Sequence, residues 1–358
     1  MSDKEKAAAA HRVVHYGEGA FSIRSTKMTT GVLRYGHQTS VAVIDSTKVG
    51  KTAEEVIGFG GKVPVVASLA DAMKFKPDTM LVGTTPVGGR VNTELRAAIL
   101  EAIDKGLNVH AGLHDFLTND AEISAAAAKK GVELKDLRKP EPNLPVGKGL
   151  CRWAKSYISL MVGTDCATGK MTVALEIDRA ARARGIKSEF VATGQCGIAI
   201  AGWGSPIDAI AGDFMAGAVE RDVMSIDGQA DVILVEGQGS LLHPGFSSVT
   251  LALLHGACPH SLILNAQVTR TEISNMKGSI PIPSLDKVIK PYIDLAAPIR
   301  PTKLVAVSVN SYGVTEQEAR DFIKAAEDLL QVPANDPVRF GAENLVDAIE
   351  AHRKSLGL

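Results

Sequence analysis

One stretch limits what this chain can fold into: YISLMVGTDCATGKMT, from Tyr157 to Thr172. An apolar run breaks at Gly163 into a short loop that closes on Gly169 and Lys170. The spacing G-x-x-x-x-G-K is that of a phosphate-cradling loop set between a strand and a helix. Successive backbone N–H groups line one concavity and the following helix turns its positive end toward it, so a pyrophosphate is held with few side chains. Residues Gly163, Thr164, Asp165, Cys166, Ala167, Thr168, Gly169, Lys170, Met171 and Thr172 are therefore the candidate phosphate binders. Magnesium-dependent P-loop enzymes carry Ser or Thr directly after the lysine. This chain has Met171 there, and Thr172 is one place late.

The surroundings of this loop read as alternating strands and helices. In the first half, VAVID (41–45), VPVVAS (63–68), TMLVGTTP (79–86) and LNVHAGL (107–113) are short apolar runs suited to buried strands. Between and after them, TAEEVIGF (52–59), SLADAMKF, NTELRAAILEAIDKG (92–106) and NDAEISAAAAKKG (119–131) have helical spacing. This order means βαβ units and parallel sheets. Residues up to about Arg34 show no clear period and read as an edge strand or a wrapping arm. A dinucleotide fingerprint is absent after VAVID, where Ser46 to Thr52 offers one glycine and the motif needs three.

A proline- and glycine-rich passage, LRKPEPNLPVGKG (137–149), has the composition of a linker. It divides the chain into domains 1–145 and 146–358. The second domain continues through the helix KMTVALEIDRAARARG (170–185) and the strands SEFVATGQ (188–195), DVILVEGQGSLL (231–242), LILN (262–265) and KLVAVSVNS (303–311). Helices at 316–330 and 343–354 close it. The fold class is α/β, with two parallel-sheet domains, and 358 residues suffice for two cores.

Composition removes several partners. Basic and acidic residues balance, 39 against 40, and aromatics are 4%, which argues against bulk nucleic acid and anionic membranes. The four cysteines form no C-x-x-C pair, so neither a zinc knuckle nor a disulfide framework is expected, and a reducing cytoplasm is the simplest location. No export signal or membrane span is expected either.

Other strand ends supply candidates for chemistry. Glu236 ends the apolar strand DVILVEG, where a carboxylate faces the ligand crevice of a parallel sheet, and Gly237 and Gly239 beside it would let a ligand approach the backbone. Gln195 follows the preceding strand, Asp208 and Asp213 follow Gly204-Ser205-Pro206, and His243 and His255 follow Glu236. Arg270 and Lys277 lie in a proline-bounded loop that could bring positive charge to a carboxylate, or could pair with Glu272 or Asp286.

Taken together, GTDCATGKMT, TGQCGI and VEGQGSLLHP resemble a bacterial and archaeal family whose members act as D-glutamate N-acetyltransferases. The resemblance covers both halves of the chain. It implies a Rossmann-like N-terminal domain and a P-loop NTPase-like C-terminal domain, with acetyl-CoA acylating the amine of D-glutamate on a catabolic route. On it, the P-loop holds the coenzyme's phosphates without metal, since a thioether at 171 is a poor ligand for hard magnesium. Glu236, then Asp213, then His243 are the candidate bases that deprotonate the amine, Gly237 to Ser240 the oxyanion donors, and Gln195 and Arg270 the substrate binders. A small-molecule substrate, no nucleic acid, no membrane and a homo-oligomer are the expectations. GTD…GK and VEG are also similar to dethiobiotin synthetase, which would instead imply an ATP- and magnesium-dependent kinase or ligase. A nucleotide-binding protein without catalysis is the third alternative.

Overall fold

A computed structural model describes residues 10–84 and 89–358. Thr85 and Pro86, the end of the expected strand TMLVGTTP, and the first nine residues lie outside that description. The chain forms two compact units: Met1–Pro140 with Gly194–Pro206, and Glu141–Thr193 with Ile207–Leu358. The linker reading of 137–149 falls at the first crossing between them. Residues 194–206, inside the stretch 146–358, group by their contacts with the first unit. At the base of that excursion the Ile207 N–H donates to the Thr193 carbonyl at 3.0 Å.

In the first unit, β1 (Arg12–Tyr16), β2 (Thr39–Ile44), β3 (Val65–Val66), β4 (Thr79–Val82), β5 (Asn108–Ala111) and β6 (Leu134–Asp136) make one parallel sheet in the order β3-β2-β1-β4-β5-β6. The helices are α1 (Lys27–Tyr35), α2 (Ala53–Ile57), α3 (Leu69–Ala72), α4 (Thr93–Asp104), α5 (Ala121–Lys130) and, after the helix α6 (Lys170–Ala183) of the second unit, α7 (Gln195–Ala201). Their starts are written locally. Thr52 and Glu55 form a capping box, and Asn92 and Asp120 accept the free N–H groups of α4 and α5.

The stretch expected as an edge or arm is instead the central strand β1, paired with β2 on one side and β4 on the other. Its period is hidden by His15, which is fully buried, bonds Ser40 Oγ at 2.9 Å, and has its pKa drawn down to about 3 by burial. A neutral imidazole behaves there as a core residue.

The β1 position moves the dinucleotide question to Gly17-Glu18-Gly19, the turn after the first strand, where Ser22 stands in place of the third glycine. Asp45, at the end of β2 where such folds hold a ribose, is consumed by its own loop. It accepts from the N–H groups of Phe21 and Thr47, from Thr47 Oγ1 and from Lys48 Nζ, at 2.6–3.0 Å. Over the ends of β4 and β5, α1 packs so closely that a Cβ on Gly83 would lie 1.8 Å from Thr29 Oγ1, and one on Gly112 2.3 Å from Met28 Cε. Among the described residues, side chains of α1 fill the space over these two glycines.

In the second unit, β7 (Tyr157–Gly163), β8 (Ser188–Val191), β9 (Val232–Val235), β10 (Ser261–Gln267), β11 (Lys303–Asn310) and β12 (Ala334–Asn335) form a parallel sheet in the order β12-β11-β10-β7-β9-β8. Helices α6 (Lys170–Ala183), α8 (Gly212–Met224), α9 (Ser247–Ala257), α10 (Leu285–Ala296), α11 (Glu316–Leu330) and α12 (Glu343–Ser355) connect and cover it. Every residue of β7 and β9 is buried, as strands covered on both faces require. From β7 the chain runs to the edge at β8, returns through β9, and crosses to β10 on the other side. The reversal flanks β7, which puts the ligand crevice at the carboxyl end of that strand. Among the described residues, no helix is long and apolar enough to cross a membrane.

Candidate functional site

The P-loop sits where β7 turns into α6. Gly169 has φ of 110° and caps α6, and Ala167 takes φ of 55°, an uncommon conformation for a residue with a Cβ. These left-handed residues curl the loop back over its start. A side chain on Gly163 would meet Thr168 Oγ1 at 2.8 Å and Lys170 Nζ at 2.9 Å. Lys170 folds into the loop and donates to the Asp165 carbonyl oxygen at 2.9 Å. Its burial draws the pKa down to about 8, against the attraction of Cys166, Asp165 and Glu236. Among the described residues, this buried ammonium has only the Asp165 carbonyl and the Thr168 hydroxyl as hydrogen-bond partners, so its burial is little compensated.

Asp165 is the best-anchored member of the loop. Wholly buried, its Oδ2 accepts from Arg270 Nη1 at 2.7 Å and from the Ser274 N–H at 2.8 Å. Burial alone would raise this carboxyl; the polar groups of Ser274 and Cys166 and the Arg270 guanidinium beside it outweigh that and hold it below the usual carboxylate range. Burial pushes the half-buried Cys166 thiol up, against the pull of Lys170. The donor atoms of Asp165, Cys166 and His243 all lie within 4.8 Å of one another.

Glu236 follows β9, is 3% exposed, and accepts from the Thr193 N–H at 2.8 Å, while the Thr193 hydroxyl donates to its carbonyl at 2.9 Å. Thr193 thus fixes the carboxylate, whose charge acts on the P-loop lysine. His243 is 2% exposed with both ring nitrogens engaged: Nε2 donates to the Ser274 carbonyl at 3.0 Å and Nδ1 accepts from the Gly245 N–H at 3.1 Å. Asp213 lies exposed in the first turn of α8, and Gln195 opens α7 in the other unit.

Two expectations change on this geometry. Arg270 pairs with neither Glu272 nor Asp286, but with Asp165, 105 residues away, and also bonds Gln267 Oε1 at 3.3 Å. Gly237 and Gly239 leave no space for a ligand against their Cα atoms. The Cβ position of Gly237 lies 1.7 Å from the Met161 carbonyl oxygen and that of Gly239 2.4 Å from the Phe246 carbonyl oxygen, so both are glycines because backbone packs on backbone.

Sequence reasoning missed Tyr292 and Ser274. The Tyr292 hydroxyl, fully buried on α10, donates to the Gly163 carbonyl at 2.9 Å and accepts from the Leu241 N–H at 3.0 Å, tying the P-loop to the loop after Glu236. The only hint was a phenol on the apolar stripe Val288, Ile289, Tyr292, Ala296 of a helix left unassigned. Tyr292→Phe leaves a buried carbonyl and N–H unpaired, and the expected cost is about 1–3 kcal/mol in a denaturant titration. An unchanged midpoint would show that other groups tie these loops.

A family model described as a domain of unknown function, DUF1611, P-loop domain, matches residues 145–346, and its Rossmann-like N-terminal companion matches 46–140. The D-glutamate N-acetyltransferase of Tritonibacter scottomollicae is 39% identical over 290 residues, 79% of this chain and 84% of the relative. That of a Pseudoalteromonas species is 35% identical over 281 residues, 78% of this chain and 83% of the relative. A crystal structure of a DUF1611 family protein from Anabaena variabilis superposes with a TM-score of 0.90 at 35% identity, covering 95% of this chain and 99% of that one.

Proposed function

Since this chain belongs to the DUF1611 family, with its Rossmann-like domain over 46–140 and its P-loop domain over 145–346, we propose that it is an N-acetyltransferase that moves acetyl from acetyl-CoA to the amine of D-glutamate. The observation that carries this is the 39% identity, spanning most of both chains, to a relative named for that reaction. A role in D-amino-acid breakdown, a cytoplasmic location in keeping with four free cysteines, and self-association belong to the same reading.

The site's chemistry supports a bound phosphate that does not itself react. Lys170 and the N–H groups of the loop meet the coenzyme's pyrophosphate, and Met171 at the magnesium position lacks the oxygen that phosphoryl transfer requires. The attacking amine must lose a proton. Glu236, buried and held by Thr193, is the base we assign; Asp213 is exposed, and His243 would first have to release a hydrogen bond. Backbone N–H groups between Gly237 and Ser240 are assigned to the developing oxyanion. Arg270, committed to Asp165, is assigned to ordering the loop, and Gln195 receives no role in this site.

Thiol release from acetyl-CoA, followed with each of the D- and L-amino acids with and without magnesium, tests the reading. The expected result is turnover with D-glutamate that does not need magnesium. Magnesium-dependent ADP release from ATP, with no thiol released by D-glutamate, would overturn it in favour of a kinase or ligase like dethiobiotin synthetase.

A further inference from the structure

We propose that Asp165, Cys166 and His243 form a seat for one soft divalent cation of the zinc class beside the phosphate loop. A carboxylate oxygen, a thiolate sulfur and an imidazole nitrogen are the donors that zinc takes from proteins, with a fourth position left for water or a substrate. In this structure the three donor atoms lie within 4.8 Å of one another. Bonds of about 2.0–2.3 Å set tetrahedral ligand atoms roughly 3.3–3.8 Å apart, so closure asks for movement of about an ångström.

Two further observations point to a cation. Asp165 is 0% exposed, yet its Oδ1 has no hydrogen-bond partner, while Oδ2 is taken by Arg270 and the Ser274 N–H. A buried carboxylate oxygen without a donor is costly, and a metal ion would satisfy it. The peptide of Ser274 also orients both outer ligands: its N–H holds Asp165, and its carbonyl accepts from His243 Nε2 at 3.0 Å. An imidazole that donates its second N–H to a backbone carbonyl is the usual support of a zinc-bound histidine. Keeping that bond makes Nδ1 the ligand, at the cost of its 3.1 Å contact with the Gly245 N–H.

Charge opposes the ion less than the neighbouring cations suggest. Arg270 is paired with Oδ2, and Lys170 donates to a main-chain oxygen, so neither occupies Oδ1. Metal binding also turns the Cys166 thiol into a thiolate, releasing one proton and adding a second negative charge beside Asp165. The argument from Met171 concerned hard magnesium and does not extend to an ion that prefers sulfur and nitrogen. This inference does not depend on the acetyltransferase reading.

The test uses the full chain, stripped with a chelator and then dialysed against zinc, with cobalt(II) as the spectroscopic probe. Expected are one zinc per chain, one proton released, and a thiolate-to-cobalt charge-transfer band with tetrahedral d–d absorption. Cys166→Ser should remove the charge-transfer band and weaken zinc binding at least about 100-fold, His243→Gln should weaken it similarly, and Cys196→Ser should change neither. Cobalt binding without a thiolate band, no zinc retained by the parent chain, or zinc retained equally by the Cys166→Ser chain would overturn the site. If Cys166→Ser fails to fold, the cobalt spectrum of the parent decides alone.

Discussion

Gly237→Ala is expected to lower the stability of the P-loop unit by about 3 kcal/mol or more, or to leave no folded protein. An added Cβ would sit 1.7 Å from the Met161 carbonyl oxygen and 2.8 Å from Lys170 Cδ. Met161 belongs to β7, whose hydrogen-bonded place between β9 and β10 leaves its backbone little room to retreat. The overlap must therefore be relieved by moving the loop after Glu236, which carries the proposed base away from Thr193. Gly212→Ala is the control. Nothing lies within 4 Å of that Cβ position at the start of α8, so the change should stay within about 0.5 kcal/mol. Denaturant midpoints of the two variants compare directly, and equal stability would refute the close packing of Gly237 on β7.

Lys170→Met is expected to move stability and binding in opposite directions. In the ligand-free protein the lysine pKa falls from 10.5 to about 8 through burial, so at neutral pH its charge costs the fold on the order of 3 kcal/mol. Methionine keeps a similar apolar shape without that charge. The variant should therefore unfold at a higher temperature than the parent near pH 7. The same variant should bind coenzyme A about 10- to 100-fold more weakly, since a hydrogen bond to a charged group is worth about 1.5–3 kcal/mol. The pH dependence fixes the sign. Between pH 8 and 10.5 the unfolded parent still holds a proton that the folded parent has released, so its stability rises across that window and the advantage of the variant disappears above it. A ligand-free variant less stable than the parent at pH 7 would show that Lys170 is a structural cation and not one held ready for an anion.

Much of the fold was legible because its signals are local. The helix read at 316–330 is found at Glu316–Leu330, where a capping box of Thr315 and Glu318 starts it. The P-loop was legible for the same reason: its glycines, lysine and flanking strand are contiguous. The strand β1 was misread because His15 contributes as a neutral core residue, which only its burial reveals. The short strands β6 and β12, three and two residues long, carry too little period to be seen.

By itself the sequence determined that a phosphate loop follows a buried strand, that Glu236 ends another strand, and that both sheets are parallel. Tertiary structure decided what surrounds that loop. Arg270 and Ser274 reach Asp165 across 105 and 109 residues of chain, and Tyr292 reaches Gly163 across 129. Such contacts leave no period or spacing in the sequence, because they depend on which strand lies beside β7 and not on the order of neighbouring residues. The fold likewise decided that Gly237 serves backbone packing and that Gly194–Pro206 joins the other unit, since the space around an atom exists only once distant segments have met.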